Sequence, residues 1–411
     1  MTEKPLQNCG KCGICLNACP VYKLLKEEQV SPRAKLQLIK AHDQHALASS
    51  PLLKDLIHKC LMCGSCSAAC PSGIDHYSAF MEMRREMVEA HGETPAIKSL
   101  IYLLAREYRI RFGARLARTG QKLMPAGIAE KFKLGNIPLK NFPEFNAVPF
   151  RKAHDEILLP QGKPAGRVIY FTGCATNYLY DDTGAATIGI LRHMGYEVVI
   201  PKDQVCCSIP LLFHGAKKAA MKNIVSNIKT LRDIEADAVL VDCSTCGEAL
   251  KNEYPRLYET RDKHFSDAQR IASGVTGILS FINLHFDLLQ FDAAVTEKIS
   301  VTYHAPCHTR NTFQSHLIAE KLLQNLPNVT YHRTPDFDQC CGGGGTFFYE
   351  YPEISKKMVD KKIESAKATQ ATHWITDCPV CRMNLAGNMD EPDGLPVLHP
   401  VTLIYAALKR I

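Results

Sequence analysis

Tryptophan is almost missing from this 411-residue chain, which has a single one. Also missing is any run of about 18 uninterrupted apolar residues, the least that a membrane-crossing helix needs. The polar stretch Met1 to Cys15 lacks the apolar centre of a signal peptide, so the chain is expected to remain in the cytoplasm. No G-x-G-x-x-G loop, Walker lysine loop or serine nucleophile elbow is present, which leaves no legible nucleotide or acyl-transfer site. Charge of one sign is modest too: the net +7, spread evenly, would say little about partners, and no nucleic-acid partner is expected. The 46% hydrophobic content suffices for more than one core, and at roughly one domain per 150 residues the length suggests two to four.

Cysteine, by contrast, is abundant, with 18 residues. In a reducing compartment thiols are held reduced, so metal ligation is the default explanation rather than disulfides. Cys9, Cys12, Cys15 and Cys19 before Pro20 form C-x2-C-x2-C-x3-C-P, and Cys60, Cys63, Cys66 and Cys70 before Pro71 repeat it. A C-x2-C-x2-C loop wraps three thiolates around one corner of a cubane, while the fourth cysteine points away; in two-cluster ferredoxins it ligates the other cluster. One [4Fe–4S] cluster is therefore expected on Cys9, Cys12, Cys15 and Cys70, and a second on Cys60, Cys63, Cys66 and Cys19. Two zinc sites are the competing reading, but zinc ribbons use two cysteines per knuckle rather than four ending in proline. Between the runs, Ser31 to His58 reads as helix with Ser31 as N-cap and Pro32 at N1, and Tyr77 to Ala90 reads as another.

The second half is a duplication. Cys174, adjacent Cys206 and Cys207, then Cys243 and Cys246 recur as Cys307, adjacent Cys340 and Cys341, then Cys378 and Cys381, at offsets of 133 to 135 residues. Val168–Phe171 matches Val301–His304, and Ala238–Asp242 matches His373–Asp377; all four read as short buried strands. Ala216 to Ile234 and Glu353 to Ala368 read as the intervening helices, so each copy is a β/α unit with parallel strands and cysteines just past their carboxyl ends. Adjacent cysteines point to opposite faces of extended backbone, so reaching one cluster requires a sharp turn. Gly342–Gly345 supplies it in the second copy, whereas the first has Ser208 and Ile209.

The pattern C…CC(G)…C-x2-C, present twice, resembles the cysteine-rich CCG domain of heterodisulfide reductase subunits and related iron–sulfur proteins. A ferredoxin domain followed by two such domains is similar to the iron–sulfur subunits of glycolate oxidase and anaerobic glycerol-3-phosphate dehydrogenase, to lactate-utilisation proteins and to the membrane-linked heterodisulfide reductase subunit. The resemblance implies an α+β multidomain chain: a helical two-cluster ferredoxin domain over 1–100, a connector over 101–165, and two tandem α/β CCG domains with short parallel sheets over 166–295 and 296–411. It also implies a noncubane [4Fe–4S] cluster on Cys174, Cys206, Cys207, Cys243 and Cys246, on Cys307, Cys340, Cys341, Cys378 and Cys381, or on both. Zinc, or a plain cubane with a spare thiol, stays open for the first copy.

Substrate redox chemistry usually needs a flavin or nicotinamide, so electrons should come from a flavoprotein dehydrogenase partner. The function implied is that of an electron-transfer subunit of a glycolate, lactate or glycerol-3-phosphate type dehydrogenase, passing electrons to quinone or a membrane cytochrome b. The alternative is disulfide reduction at a noncubane cluster on the second set of five cysteines. Around Cys307, His304, His308 and Arg310 are candidate tuning groups, with a structural role weighted above hydrogen bonding to sulfur; His214 is a weaker candidate.

From Ile101 to Leu123, Arg106, Arg109, Arg111, Arg115, Arg118 and Lys122 face the single acid Glu107. Ile101, Leu104, Tyr108, Phe112 and Leu116 fall at three- or four-residue steps, giving a basic amphipathic helix that packs on its own domain, lies on an anionic, cytoplasmic membrane face or docks an acidic partner. The proline-rich stretch 124–164 reads as an extended connector.

Overall fold

The computed structural model describes residues 8–292, 298–389 and 394–409. The N-terminal part is helical, and prolines set its boundaries. Ser31 caps Pro32–Asp43 by accepting from the Ala34 amide, and Ser50 caps Pro51–His58 in the same way through Leu53. The span expected as one helix is thus two, because the chain turns at His45, which has φ +57°, and Ser50 and Pro51 open a new helix. Asp75 caps His76–His91, which covers the second expected helix, and Thr94 caps Pro95–Leu104. The basic segment is likewise broken: Arg106 takes extended backbone ahead of Glu107–Leu123.

Each CCG copy is built on a short sheet. In the first, Gly166–Phe171 lies between Tyr196–Val199 and Ala238–Val241, all parallel, with Val275–Gly277 beyond the latter; Ile157–Leu158 closes the other edge antiparallel. In the second, Ile299–Tyr303 lies between Val329–Tyr331 and His373–Ile375, with Val397–Leu398 outermost, all parallel. Helices Lys217–Arg232 and Pro352–Lys367 fill the two expected helical segments. The sequence boundary set at 295/296 lies outside the described residues.

The duplication extends to single hydrogen bonds. Asp242 accepts from Tyr170 and Thr176 at 2.5 Å each, and Asp377 accepts from Tyr303 and Thr309 at 2.7 and 2.6 Å. Each aspartate thereby ties the end of one strand to the helix that starts at the first cysteine, Cys174 or Cys307. The two copies pack reciprocally: Asp181–His193 of the first against Pro400–Ala406 of the second, and His316–Gln324 of the second against Ile278–Leu284 of the first. One apolar core, including Val168, Tyr170, Leu240, Val301, Tyr303 and Ile375, runs through both sheets.

The connector is less extended than its prolines suggest. Lys133–Leu134 pairs with Ile137–Pro138 in a hairpin, and its turn donates from the Asn136 amide to the Phe348 carbonyl at 3.2 Å and from Asn136 Nδ2 to Ser355 Oγ at 3.0 Å. The chain therefore crosses the second copy before it enters the first. The hairpin forms because Ile137, fully buried, packs into the space beside Gly387.

Candidate metal centres

The structure brings together the four ferredoxin cysteines of each crossed set. Cys9, Cys12, Cys15 and Cys70 line one cavity, and Cys19, Cys60, Cys63 and Cys66 line another. Burial pushes the Cys15 thiol up, and the nearby negative charge of Cys9, Cys12 and Cys70 adds to it. Burial pushes Cys19 up to about 12, and Cys63 and Cys60, not Cys9 or Cys12, add to that shift. Four thiols converge in each set without a carboxylate, the donor set that an iron–sulfur cubane takes.

Cations that the sequence reading missed surround the second set. Lys35 is buried and donates to the Lys59 carbonyl at 2.5 Å, with burial lowering its affinity for a proton and Cys60 and Cys19 opposing that. Arg84, also buried, holds the carbonyls of Cys60, His58 and Phe213 at 2.6, 3.0 and 3.1 Å, so one guanidinium joins the cluster loop to the first CCG copy. Neither residue carries a spacing signal; each is legible only from the fold.

Each CCG copy gathers its five thiols. In the first, the sulfurs of Cys206 and Cys246 lie within hydrogen-bond reach of Cys207; those S–H donors hold its thiol down, to about 6, against the effect of burial. In the second, Cys340 and Cys381 do the same to Cys341, whose sulfur lies 3.2 Å from that of Cys381. The second member of each adjacent pair is thus the centre of its quintet, with Cys174 and Cys243, or Cys307 and Cys378, at the periphery.

The turn that the first copy was expected to lack is present. Ser208 adopts φ +75°, in the place of Gly342 at φ +82°, and its amide points to Cys206 Sγ at 3.4 Å as the Gly342 amide points to Cys340 Sγ at 3.4 Å. Ser208 is fully buried, and its hydroxyl reaches the carbonyls of Cys206 and Ala220 at 3.4 Å each, partners that offset the cost of about 1 kcal/mol for a left-handed non-glycine residue.

The copies differ at His304. It is buried beside Cys341 and Cys381, with one ring nitrogen and the two sulfurs all within 4.8 Å of one another, and neither ring nitrogen has a conventional partner. Burial lowers its affinity for a proton, and Cys341 opposes that. The matching residue of the first copy is Phe171. The imidazole of His304 faces thiols, because strand Ile299–Tyr303 ends just before it.

His308 sits where three cysteine sets meet. Its Nδ1 is 3.1 Å from Thr245 Oγ1, between Cys243 and Cys246, and its Nε2 is 3.2 Å from the Met62 carbonyl, between Cys60 and Cys63. Asn311 donates to the Cys63 carbonyl at 2.7 Å, and Arg310 reaches Ser65 Oγ at 3.3 Å while pairing with Asp338. Cys63 shares an apolar cluster with Cys307 and Cys340, near enough for its charge to push both thiols up. His214 instead ties domains together, 3.3 Å from Glu93 and 2.7 Å from Thr346 Oγ1, and reaches no cysteine.

Comparisons with known proteins agree with this geometry. A family model described as a cysteine-rich domain, CCG, matches residues 168–251 and 301–386, and one described as a 4Fe–4S dicluster domain matches 5–74. The chain is 28% identical to the probable glycolate oxidase iron–sulfur subunit of Bacillus subtilis (strain 168), covering 96% of this chain and 91% of that one. It is 26% identical to a subunit of the dihydromethanophenazine:CoB–CoM heterodisulfide reductase of Methanosarcina acetivorans, covering 95% and 90%. It is 32% identical to lactate utilization protein A of Geobacillus sp. (strain WCH70), covering 56% and 94%. With the crossed ferredoxin sets and the twin quintets, these similarities place the chain in the CCG-domain family of iron–sulfur oxidoreductase subunits.

Proposed function

We propose that the chain is the electron-transferring subunit of a multi-subunit, flavin-linked dehydrogenase of glycolate, lactate or glycerol-3-phosphate type, and that it passes electrons toward quinone or a membrane carrier. Cys9, Cys12, Cys15 and Cys70 would hold one cubane and Cys19, Cys60, Cys63 and Cys66 the other; the two quintets would each hold a noncubane [4Fe–4S] cluster. Bound there, the clusters supply one-electron redox capacity.

The protein's part is placement and polarity. The observation that carries the reading is the meeting of cysteine sets in one place: Cys63, Cys307 and Cys340 share one apolar cluster, and His308 lies between the loops of Met62 and Thr245. Arg84 puts positive charge at the second ferredoxin set, which favours reduction there, and Lys35 holds the Lys59 carbonyl beside it. Under this reading residues 1–100 form the ferredoxin domain, 101–165 the connector, and 166–295 and 296–411 the CCG domains.

The test is anaerobic mixing of the chain with its flavoprotein partner and a 2-hydroxy acid or glycerol phosphate. Substrate-dependent bleaching of the clusters and new paramagnetic signals are expected; flavin reduction with the clusters left oxidised would refute the assignment. Similarity to a heterodisulfide reductase subunit favours disulfide reduction as a second reading, and a small recess beside Cys378, lined also by Tyr180, Arg382 and His399, lies between the copies. Thiol release from a disulfide by the reduced chain would support that reading, and its absence with intact clusters removes it.

A further inference from the structure

The helix Glu107–Leu123 is held by one side only. Ile110 is buried in a cluster with Tyr178 and Cys206, with Cys174 packed beside it. Glu107 pairs with buried Arg151 and accepts from the Tyr178 hydroxyl at 2.7 Å. This inner face seals the first CCG quintet.

The outer face is apolar and open. At 100° per residue, Tyr108, Phe112, Leu116 and Leu123 share one stripe, and they are 57%, 63%, 58% and 77% exposed. From Tyr108 to Leu123 the stripe runs about 22 Å along the axis. It extends past both ends: Arg109 stacks its guanidinium 3.6 Å over the exposed Tyr102 ring, and Ile128 and Phe132 beyond the helix are 45% and 60% exposed. Arg111, Arg115 and Lys122, all exposed, line one edge of the stripe, and among the described residues none of them has an acidic partner.

Leaving so much large apolar surface in water is costly, which marks the face as a contact surface. The geometry favours a lipid surface over a protein groove. The stripe is convex, straight and flanked by cations on long stems, the arrangement that lets side chains enter the acyl boundary while the charges stay among the headgroups. Its charge complements an anionic leaflet.

We propose that this helix docks the chain flat on an anionic bilayer surface, and that docking holds the first five-cysteine site one helix diameter, about 10 Å, from the headgroups. The first CCG copy then becomes the end of the molecule nearest any lipid-dissolved acceptor. The docking stands apart from the electron-transfer reading; only the use of the first site as an outlet rests on it.

The test is flotation of the anaerobically prepared holoprotein with vesicles of phosphatidylcholine, alone or mixed with phosphatidylglycerol. Cluster absorbance serves as the control for folding, and all the substituted side chains are solvent-facing. Binding is expected to the mixed vesicles and to weaken with salt. Each cation is worth about fivefold at an anionic surface, so the triple variant Arg111→Gln, Arg115→Gln, Lys122→Gln should lose about a hundredfold. Phe112→Ser with Leu116→Ser should lose binding by a similar factor. Absence of flotation, or flotation that neither variant weakens, overturns the proposal. A concentration-dependent dimer abolished by Phe112→Ser, without vesicle binding, would assign the face to a second copy and equally overturn it. Vesicle docking together with clusters that a flavoprotein cannot reduce would keep the docking and remove the outlet.

Discussion

Replacing Cys70 by serine removes a thiol that stands with Cys60, Cys63 and Cys66 in sequence but with Cys9, Cys12 and Cys15 in space. The crossed and uncrossed assignments then make opposite statements about pairs of substitutions. If Cys70 and Cys12 hold one cluster, Cys12→Ser with Cys70→Ser can cost no more iron than that one cluster contains, because both act on the same site. Cys63→Ser with Cys70→Ser disables two sites. A cubane that loses one ligand sheds one iron or collapses, so a disabled site costs from about one to about four iron atoms per chain. The Cys12/Cys70 pair should therefore stay within about four, with the signal of the second ferredoxin set intact, while the Cys63/Cys70 pair should reach up to about eight. With four occupied sites, those limits are about a quarter and about half of the bound iron. Iron and acid-labile sulfide are assayed on anaerobically purified protein, and the paramagnetic spectrum after dithionite identifies the surviving site. Loss beyond about four iron atoms, or loss of the second set's signal, for Cys12/Cys70, with loss confined to one site for Cys63/Cys70, would refute crossed ligation.

His304→Phe gives the second quintet the composition of the first; the iron content should hold while the reduction potential of that site falls and its spectrum shifts, and an unchanged potential in a redox titration would show that the imidazole donates nothing to sulfur. Burial raises Glu253 to about 7, with Arg256 opposing. A carboxyl raised in the folded state adds stability below its unfolded value near 4.5 and loses it as pH climbs to 7. Glu253→Gln should thus stabilise by about 2 to 3 kcal/mol at pH 8 and not at pH 4, a difference measurable by denaturant midpoints at the two pH values. Gly135 sits at φ +63°, and a Cβ there would lie 2.3 Å from the Phe348 carbonyl oxygen. Gly135→Val should lift the hairpin off the second copy at a cost of about 2 kcal/mol or more, and limited proteolysis should cut the connector faster than in the parent.

The features legible in the sequence were those with a fixed spacing. The C-x2-C-x2-C-x3-C-P runs foretold the crossed cavities, and the 133 to 135-residue offsets foretold twin sheets with cysteines beyond their strands. The same repeat could have revealed more: Tyr170, Thr176 and Asp242 recur as Tyr303, Thr309 and Asp377, and all six proved to be hydrogen-bond partners. What escaped depends on long-range packing. Lys35 and Arg84 become neighbours of the second ferredoxin set only when helices separated by dozens of residues come together. Ser208 reads as a broken motif because composition does not show that its hydroxyl would find two carbonyls. The connector reads as extended because proline content is local, whereas its hairpin is held by the distant Phe348 and Ser355.

The reciprocal packing of the two CCG copies is the arrangement of a symmetric dimer whose subunits share one polypeptide. In a true dimer every substitution is made twice, so an alteration useful on one side must be tolerated on the other. Covalent linkage lifts that constraint. Phe171 and His304, or Ser208 and Gly342, are changes that each half has taken alone, and through them two sites built on one plan become chemically unlike.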